Sequence, residues 1–432
     1  MKQRKRVEWS RLDNASKIFP ATASDKDTKV FRLVCELYKK VEPKVLQCAL
    51  DDTMESFPLY RSVLRRGVFW YYFEISDSKP TVEIESLPVC APIYMRDKRN
   101  LVFRVFYYNN RINLEIFHAL SDGTGALLFF RTLVSNYLLL KYGEKFAYKG
   151  SELDCDVSVS KKMDDSFDRY FDGKEDLNRK VKSKKSKYLR AYHIQGVRND
   201  ENRMQVIEGC MSVRALLDMA HQYNTTLTIF IASLFIYSIF SEMSANEKKV
   251  PVVLSVPINL RQFFSSATAR NFFSTMNAGF SAGKNTADLA EIIQNISKDF
   301  MESLTEERLV QQLNHFMSLE KKLFTRIVPL PLKDLFLRLA NHMNDRGITA
   351  AISNIGQISM PSEFDGYIKL FSIFTSARRP QICMCSYKDN LVISFTSPFR
   401  ETEIQRTFFE FLSSKGIGIE LSTNIGNADR SE

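Results

Sequence analysis

The sequence predicts an α/β (α+β) protein built of two sandwich-like domains, and three observations carry that reading. Apolar residues recur at strand spacing and at helix spacing in both halves of the chain. Between the halves, over about residues 156–190, apolar density collapses and charge dominates. The 432 residues, 44% hydrophobic and 25% charged, can fill a core in each half. Those proportions also exclude disordered, collagen-like and coiled-coil classes. The expected organisation is an amino-terminal lobe over 1–160, a charged linker over 161–190 and a carboxy-terminal lobe over 191–432.

The elements follow in order. Val30 to Leu37 reads as a strand. Glu42-Pro43 opens a helix, since proline at the first helical position lacks only an N–H that has no partner there. Leu46, Ala49, Leu50 and Thr53 continue it at helical spacing, and Phe57-Pro58 ends it. Val68 to Ile75, rich in aromatic residues, reads as a strand. Leu101–Tyr108 and Ile112–Phe117 flank Asn109-Asn110-Arg111 and predict a hairpin. After Gly123 the period changes, and Leu127, Phe130, Leu133, Val134, Tyr137 and Leu138 share one helical face.

In the second half, Ser212 is an N-cap candidate for a helix carrying Val213, Leu216, Leu217 and Ala220. A buried helix follows from Thr226 or Thr228, then a central strand over Pro251–Val256. About 286–343 is mostly helical, broken at Pro329 and Pro331. Strands are expected over Ile348–Ile352, Tyr367–Thr375, Gln381–Tyr387 and Leu391–Thr396, with a closing helix over Thr402–Ser413.

The net charge is +10, but Arg179, Lys180, Lys182, Lys184, Lys185, Lys187 and Arg190 crowd into one stretch. The rest is nearly balanced, and the cluster lacks interleaved aromatic residues, which speaks against nucleic acid as a partner. The cluster reads as a solvated loop, or as a contact for a phosphate-bearing ligand or acidic partner. Seven cysteines without a CxxC pair suit a reducing, cytoplasmic setting and no metal. Cys383 and Cys385 share one face of a strand. The greasiest run, Leu227 to Phe240, has 14 residues against the roughly 20 that span a bilayer, so no transmembrane segment is expected.

One string could do chemistry: Phe117-His118-Ala119-Leu120-Ser121-Asp122-Gly123. Strand alternation puts His118 on the side of Ile112, Leu114 and Ile116, at a strand end where a ligand can reach. A neutral imidazole there can take a proton from a hydroxyl or amine at physiological pH. The bland alternatives are a satisfied core histidine and an Asp122 that only caps the following helix. No GxxxxGK[ST], HExxH or GxSxG string occurs.

The string resembles the HxxxDG motif of the chloramphenicol acetyltransferase-like superfamily. Val256-Pro257-Ile258-Asn259-Leu260-Arg261, Arg270-Asn271-Phe272-Phe273, Ser353-Asn354-Ile355-Gly356 and the amino-terminal Leu12 to Pro20 are similar to elements of its bacterial alcohol acetyltransferase branch. The resemblance implies two chloramphenicol-acetyltransferase-like sandwich domains in a V, with a tunnel between them. It implies a CoA-dependent acyltransferase moving an acetyl or short acyl group from acetyl-CoA or another acyl-CoA to an alcohol or amine. His118 would be the general base. Asp122 would pair with an arginine, Arg261 or alternatively Arg32 on the first strand, and Gly123 would allow the turn. Asn271, Ser353 and Asn354 are the candidate acyl or oxyanion contacts. Two alternatives stand: condensation-like transfer from a carrier protein, and a non-catalytic ligand-binding relative. Phe117 stands where condensation domains usually have another histidine, which favours CoA.

Overall fold

The computed structural model describes residues 9–96, 98–146, 166–167, 188–281, 288–321 and 327–425. The expected linker over 161–190, with most of its cations, lies outside them apart from five residues. In chain order the strands are β1 (Trp9–Arg11), β2 (Val30–Leu37), β3 (Ser62–Arg66), β4 (Tyr71–Ile75), β5 (Val82–Ile84), β6 (Phe103–Tyr108) and β7 (Arg111–Phe117). The second half adds β8 (Gln205–Ser212), β9 (Val252–Asn259), β10 (Phe273–Phe280) and β11 (Ala350–Gln357). It ends with β12 (Ile368–Thr375), β13 (Gln381–Tyr387), β14 (Asn390–Ser397) and β15 (Glu420–Thr423). The helices are α1 (Ile18–Thr22), α2 (Pro43–Ser56), α3 (Gly123–Tyr142), α4 (Val213–Gln222) and α5 (Leu227–Glu242). After them come α6 (Leu289–Ser303), α7 (Glu306–Lys321), α8 (Leu330–Asp345) and α9 (Glu403–Ser414).

Two large sheets organise the chain. The first runs β12-β2-β7-β6-β5 and the second β10-β9-β11-β13-β14-β8-β15, while β1-β4-β3 form a small third sheet. Each large sheet has its own apolar core. The expected hairpin forms between β6 and β7, and Asn109 turns it at φ +49°, a left-handed conformation that asparagine tolerates. The strand expected from Val68 starts instead at Tyr71, because residues 67–70 make a turn closed by Gly67 N–H donating to Trp70 O at 2.8 Å. By pairing, β12 belongs to the first sheet although it lies within 191–432: it runs antiparallel to β2.

That crossover explains a burial pattern the cysteines hint at. Along β13, Cys383, Cys385 and Tyr387 enter the first core, whereas Ile382 and Met384 enter the second. The second sheet therefore packs one face against β12 and the other against helices such as α5. The Cys385 thiol donates to Phe371 O on β12.

The helix predicted from Thr226 or Thr228 starts at Leu227, with Thr226 Oγ1 capping Ile229 N–H, and Phe230 to Ile236 are all buried. Among the described residues one helical stretch, Gly123–Lys145, is long and apolar enough to cross a membrane, and 61% of its apolar window is buried inside the protein. α4 and α5 would pass the same test only as a pair, and they are bent by 79°.

Candidate active site

β7 delivers His118 to the gap between the two large sheets. The strand pairs with β2 up to Phe117, and His118 N–H then donates to Lys29 O at 2.8 Å. The ring stacks on Phe19 of α1, with centroids 4.4 Å apart, and lies tilted against Phe31 and Phe273. It is partly exposed, on the wall of a cavity of about 250 Å³. Lys29, Phe31, Ile373 and Thr375 line that cavity from the first sheet's side, and Ile258, Phe273, Ile352 and Ser353 from the second's.

Asn271 fixes how the ring is used. Its Nδ2 donates to Ser16 Oγ at 2.9 Å and to His118 O at 3.0 Å, so its Oδ1 is turned toward His118 Nδ1, 3.1 Å away. An amide oxygen can only accept, so Nδ1 carries the hydrogen and Nε2 keeps the lone pair. Burial, with the Lys29 charge as a smaller aid, pulls the His118 pKa below 6.5 against the push of its own backbone hydrogen bond, the Asp122 charge and Asn271. The imidazole is therefore neutral at pH 7 and able to accept a proton.

Asp122 does two jobs that the sequence presents as alternatives. Its Oδ1 caps α3 by accepting from Gly125 N–H at 2.8 Å. Its Oδ2 accepts from Phe272 N–H and from Arg261 Nη1, each at 2.7 Å. Arg261 also donates to Thr268 O and Arg270 O, so one guanidinium joins the end of β9 to the 268–272 segment and to the start of α3. The alternate partner, Arg32, is occupied elsewhere. It grips Glu115 on the neighbouring strand, with Nε to Oε1 at 2.8 Å, and also reaches Glu85. Strand alternation explains this: Arg32 and Glu115 are registered cross-strand partners and point away from the His118 side.

The φ of Gly123 is not positive. A Cβ there would stand 2.6 Å from Ile355 Cδ1, the far end of a side chain that can shift, so space alone makes only a mild demand for glycine. Gly125, which sequence reasoning passes over, is tighter still: its Cβ would meet Ala269 O at 2.2 Å and Ser121 Oγ at 2.5 Å.

The three candidate acyl contacts separate. Asn271 is buried behind the histidine. Asn354 lines the cavity, but its Nδ2 donates to Thr228 Oγ1 and its Oδ1 accepts from Gly356 N–H, holding a turn in which Gly356 takes φ +86°. Ser353 lines the cavity, and its hydroxyl has no hydrogen bond among the described residues. Behind Asn271 the amino-terminal Leu12 to Pro20 element supplies a further group: Ser16 donates to Asp13 Oδ1, and Asp13 lies 3.8 Å from Arg270 Nε. Burial raises the Asp13 pKa against the pull of Arg270. His193, His221 and His342 lie away from this cavity, and the His315 side chain lies outside the described residues. Among the described residues, no group of three or more His, Cys, Asp or Glu could hold a metal ion.

Comparison with known proteins matches this architecture. No curated protein matches the chain. Solved structures that share its fold include the following three. One is polyketide synthase associated protein 5 from Mycobacterium tuberculosis, at 14% identity and TM-score 0.61, over 94% of this chain and 97% of that one. The trichothecene 15-O-acetyltransferase of Fusarium sporotrichioides aligns at 9% identity and TM-score 0.60, over 94% and 95%. A mutant starter condensation domain of rhizomide synthetase, in complex with C8-CoA, aligns at 13% identity and TM-score 0.60, over 94% of each chain. At such identities the likeness establishes the fold, that of chloramphenicol acetyltransferase-like proteins with two lobes. The family model described as alcohol acetyltransferase matches residues 37–386, most of the chain. The protein is an acyltransferase, and it belongs to the alcohol acetyltransferase family.

Proposed function

We propose that the chain transfers an acetyl or short acyl group from acyl-CoA to an alcohol or amine, with His118 as general base. The observation that carries this is the His118 ring on the cavity wall, with Nδ1 committed to Asn271 Oδ1 and Nε2 left to accept a proton. The acceptor gives its O–H or N–H proton to Nε2 while its oxygen or nitrogen attacks the thioester carbonyl. The tetrahedral intermediate then expels the thiolate as the C–S bond breaks. The proton on Nε2 passes to that sulfur, leaving free thiol and an ester or amide. No covalent enzyme intermediate is needed.

A base so positioned is worth about 10²- to 10⁴-fold. The Ser353 hydroxyl is the group we assign to the developing oxyanion, because it faces the cavity without another described partner. Asp122 and Arg261 hold the loop that carries His118. CoA as donor is supported by the family and by the C8-CoA bound to the rhizomide synthetase domain.

Thiol release from acetyl-CoA with a panel of alcohols and amines tests the reading. His118→Ala should lower kcat per folded molecule by about 10²-fold or more, with some loss of stability from the missing ring contacts. Equal turnover in that variant would overturn His118 as base. Turnover only with a carrier-protein thioester would overturn CoA as donor.

A further inference from the structure

Helix α8 turns its more apolar side outward. Leu332, Leu335, Phe336, Leu339 and Met343 recur at helical spacing on one stripe, and each is at least 50% exposed. The buried side holds Leu330 and the carboxylate of Asp334, which accepts from Tyr71 Oη at 2.8 Å. A surface helix of an isolated globular domain shows the reverse pattern. The stripe continues onto the turn over residues 67–70, where Val68 is 71% exposed and Phe69 41%. Leu330 N–H donates to Val68 O, and Lys333 Nζ to Phe69 O, so turn and helix form one surface. An exposed apolar face of this size marks an interaction site.

The border of the stripe identifies its partner. Lys17 and Lys333 both stand over the Trp70 ring, at 5.6 and 3.4 Å from its centroid. Arg338 and Arg346 lie exposed on and just after α8. The two carboxylates of the helix are neutralised, Asp334 by Arg66 and Asp345 by Arg378 and Arg379. The result is an apolar ridge edged by cations and a tryptophan, with no unpaired acid on the helix. Anionic lipid is the surface complementary to that arrangement: the aliphatic side chains enter the acyl boundary, the cations meet headgroups, and tryptophan suits the interface.

We propose that α8 and the 67–70 turn dock the protein flat on an anionic membrane surface. With 16 residues the helix offers a footprint about 24 Å long. It packs on α1, where Arg338 Nε donates to Ala21 O and Phe19 lines the His118 cavity. α1 therefore joins the docked helix to the cavity wall that Phe19 forms.

Flotation of the full chain with phosphatidylcholine vesicles, with and without about 30% phosphatidylglycerol, tests the proposal. Binding should be about 10-fold stronger to the anionic vesicles and fall as salt is raised. The double variant Phe336→Glu, Leu339→Glu should lose binding at an unchanged melting temperature, and Arg346→Glu should weaken it. Three results would overturn the proposal. They are absence of vesicle binding, binding unchanged in the double variant, and a dimer in light scattering that the double variant dissociates, which would make a second copy the occupant.

Discussion

Two buried carboxylates, Asp122 and Glu115, are each gripped by an arginine, yet they hold together different things. Glu115 receives Arg32, Arg104 and the Cys90 N–H, all from the first half of the chain. Asp122 receives Gly125 N–H from its own loop, but Arg261 and Phe272 N–H from the other half. One cluster staples a sheet to its own loop. The other ties the His118 loop to β9 and to the segment before β10, at the edge of the cavity. The same chemistry staples one sheet in the first place and positions the proposed base in the other.

Replacing each carboxylate by its amide separates those roles. Glu115→Gln leaves Arg104 without its counter-charge and Arg32 with the half-buried Glu85 alone, and should cost about 3 kcal/mol of stability. The folded fraction should turn over as the parent does, because Glu115 faces away from the cavity. Asp122→Asn should also destabilise the protein. In addition it should lower kcat by about 10²-fold in the folded fraction, since a displacement of about 1 Å at the base suffices for that. Thermal melts beside kcat per folded molecule check both; equal kcat losses would erase the distinction.

Asn271 refines the comparison, because it reaches His118 from the same segment as Phe272 without touching Asp122's charge. Asn271→Ala removes the acceptor that fixes Nδ1–H and leaves buried Ser16 Oγ and the His118 carbonyl without their donor. About 1–3 kcal/mol of stability should be lost, with kcat falling about 10-fold and KM nearly unchanged. A KM effect alone would place Asn271 in binding and remove its role as the residue that sets the tautomer.

How much of this the sequence discloses depends on the range of the interaction. His118 at a strand end, Asp122 as a helix cap and the β6–β7 hairpin are readable because period and turn chemistry act over a few residues. The partner of Asp122 is narrowed to two arginines, and cross-strand register excludes Arg32, since Arg32 faces Glu115. Register is set by pairing and is invisible in one strand alone. Asn271 and Ser16 are 255 residues apart, and no local pattern announces their bond. The same holds for β12, whose alternation marks a strand but not the sheet it joins. The demand for glycine at position 125 comes from Ala269, and that closeness belongs to the folded chain.

The acid side of the pH profile is the finest test of the contrast between the two carboxylates. Burial holds the His118 pKa below its ordinary value of 6.5, while the Asp122 charge raises it. The unfolded chain therefore binds a proton at this group more readily than the native one. The contribution of His118 to stability falls as pH drops through 6.5 and has gone below the lower, native pKa. For activity, kcat/KM should stay flat through pH 7 and fall only below 6.5, as Nε2 becomes protonated. Removing the Asp122 charge should move that acid limb to still lower pH, because the imidazolium loses a stabilising neighbour. Removing the Glu115 charge should leave the limb in place, since that carboxylate is not among the groups acting on His118. A limb that moves equally in both variants would show that net charge, and not the cross-lobe carboxylate, tunes the base.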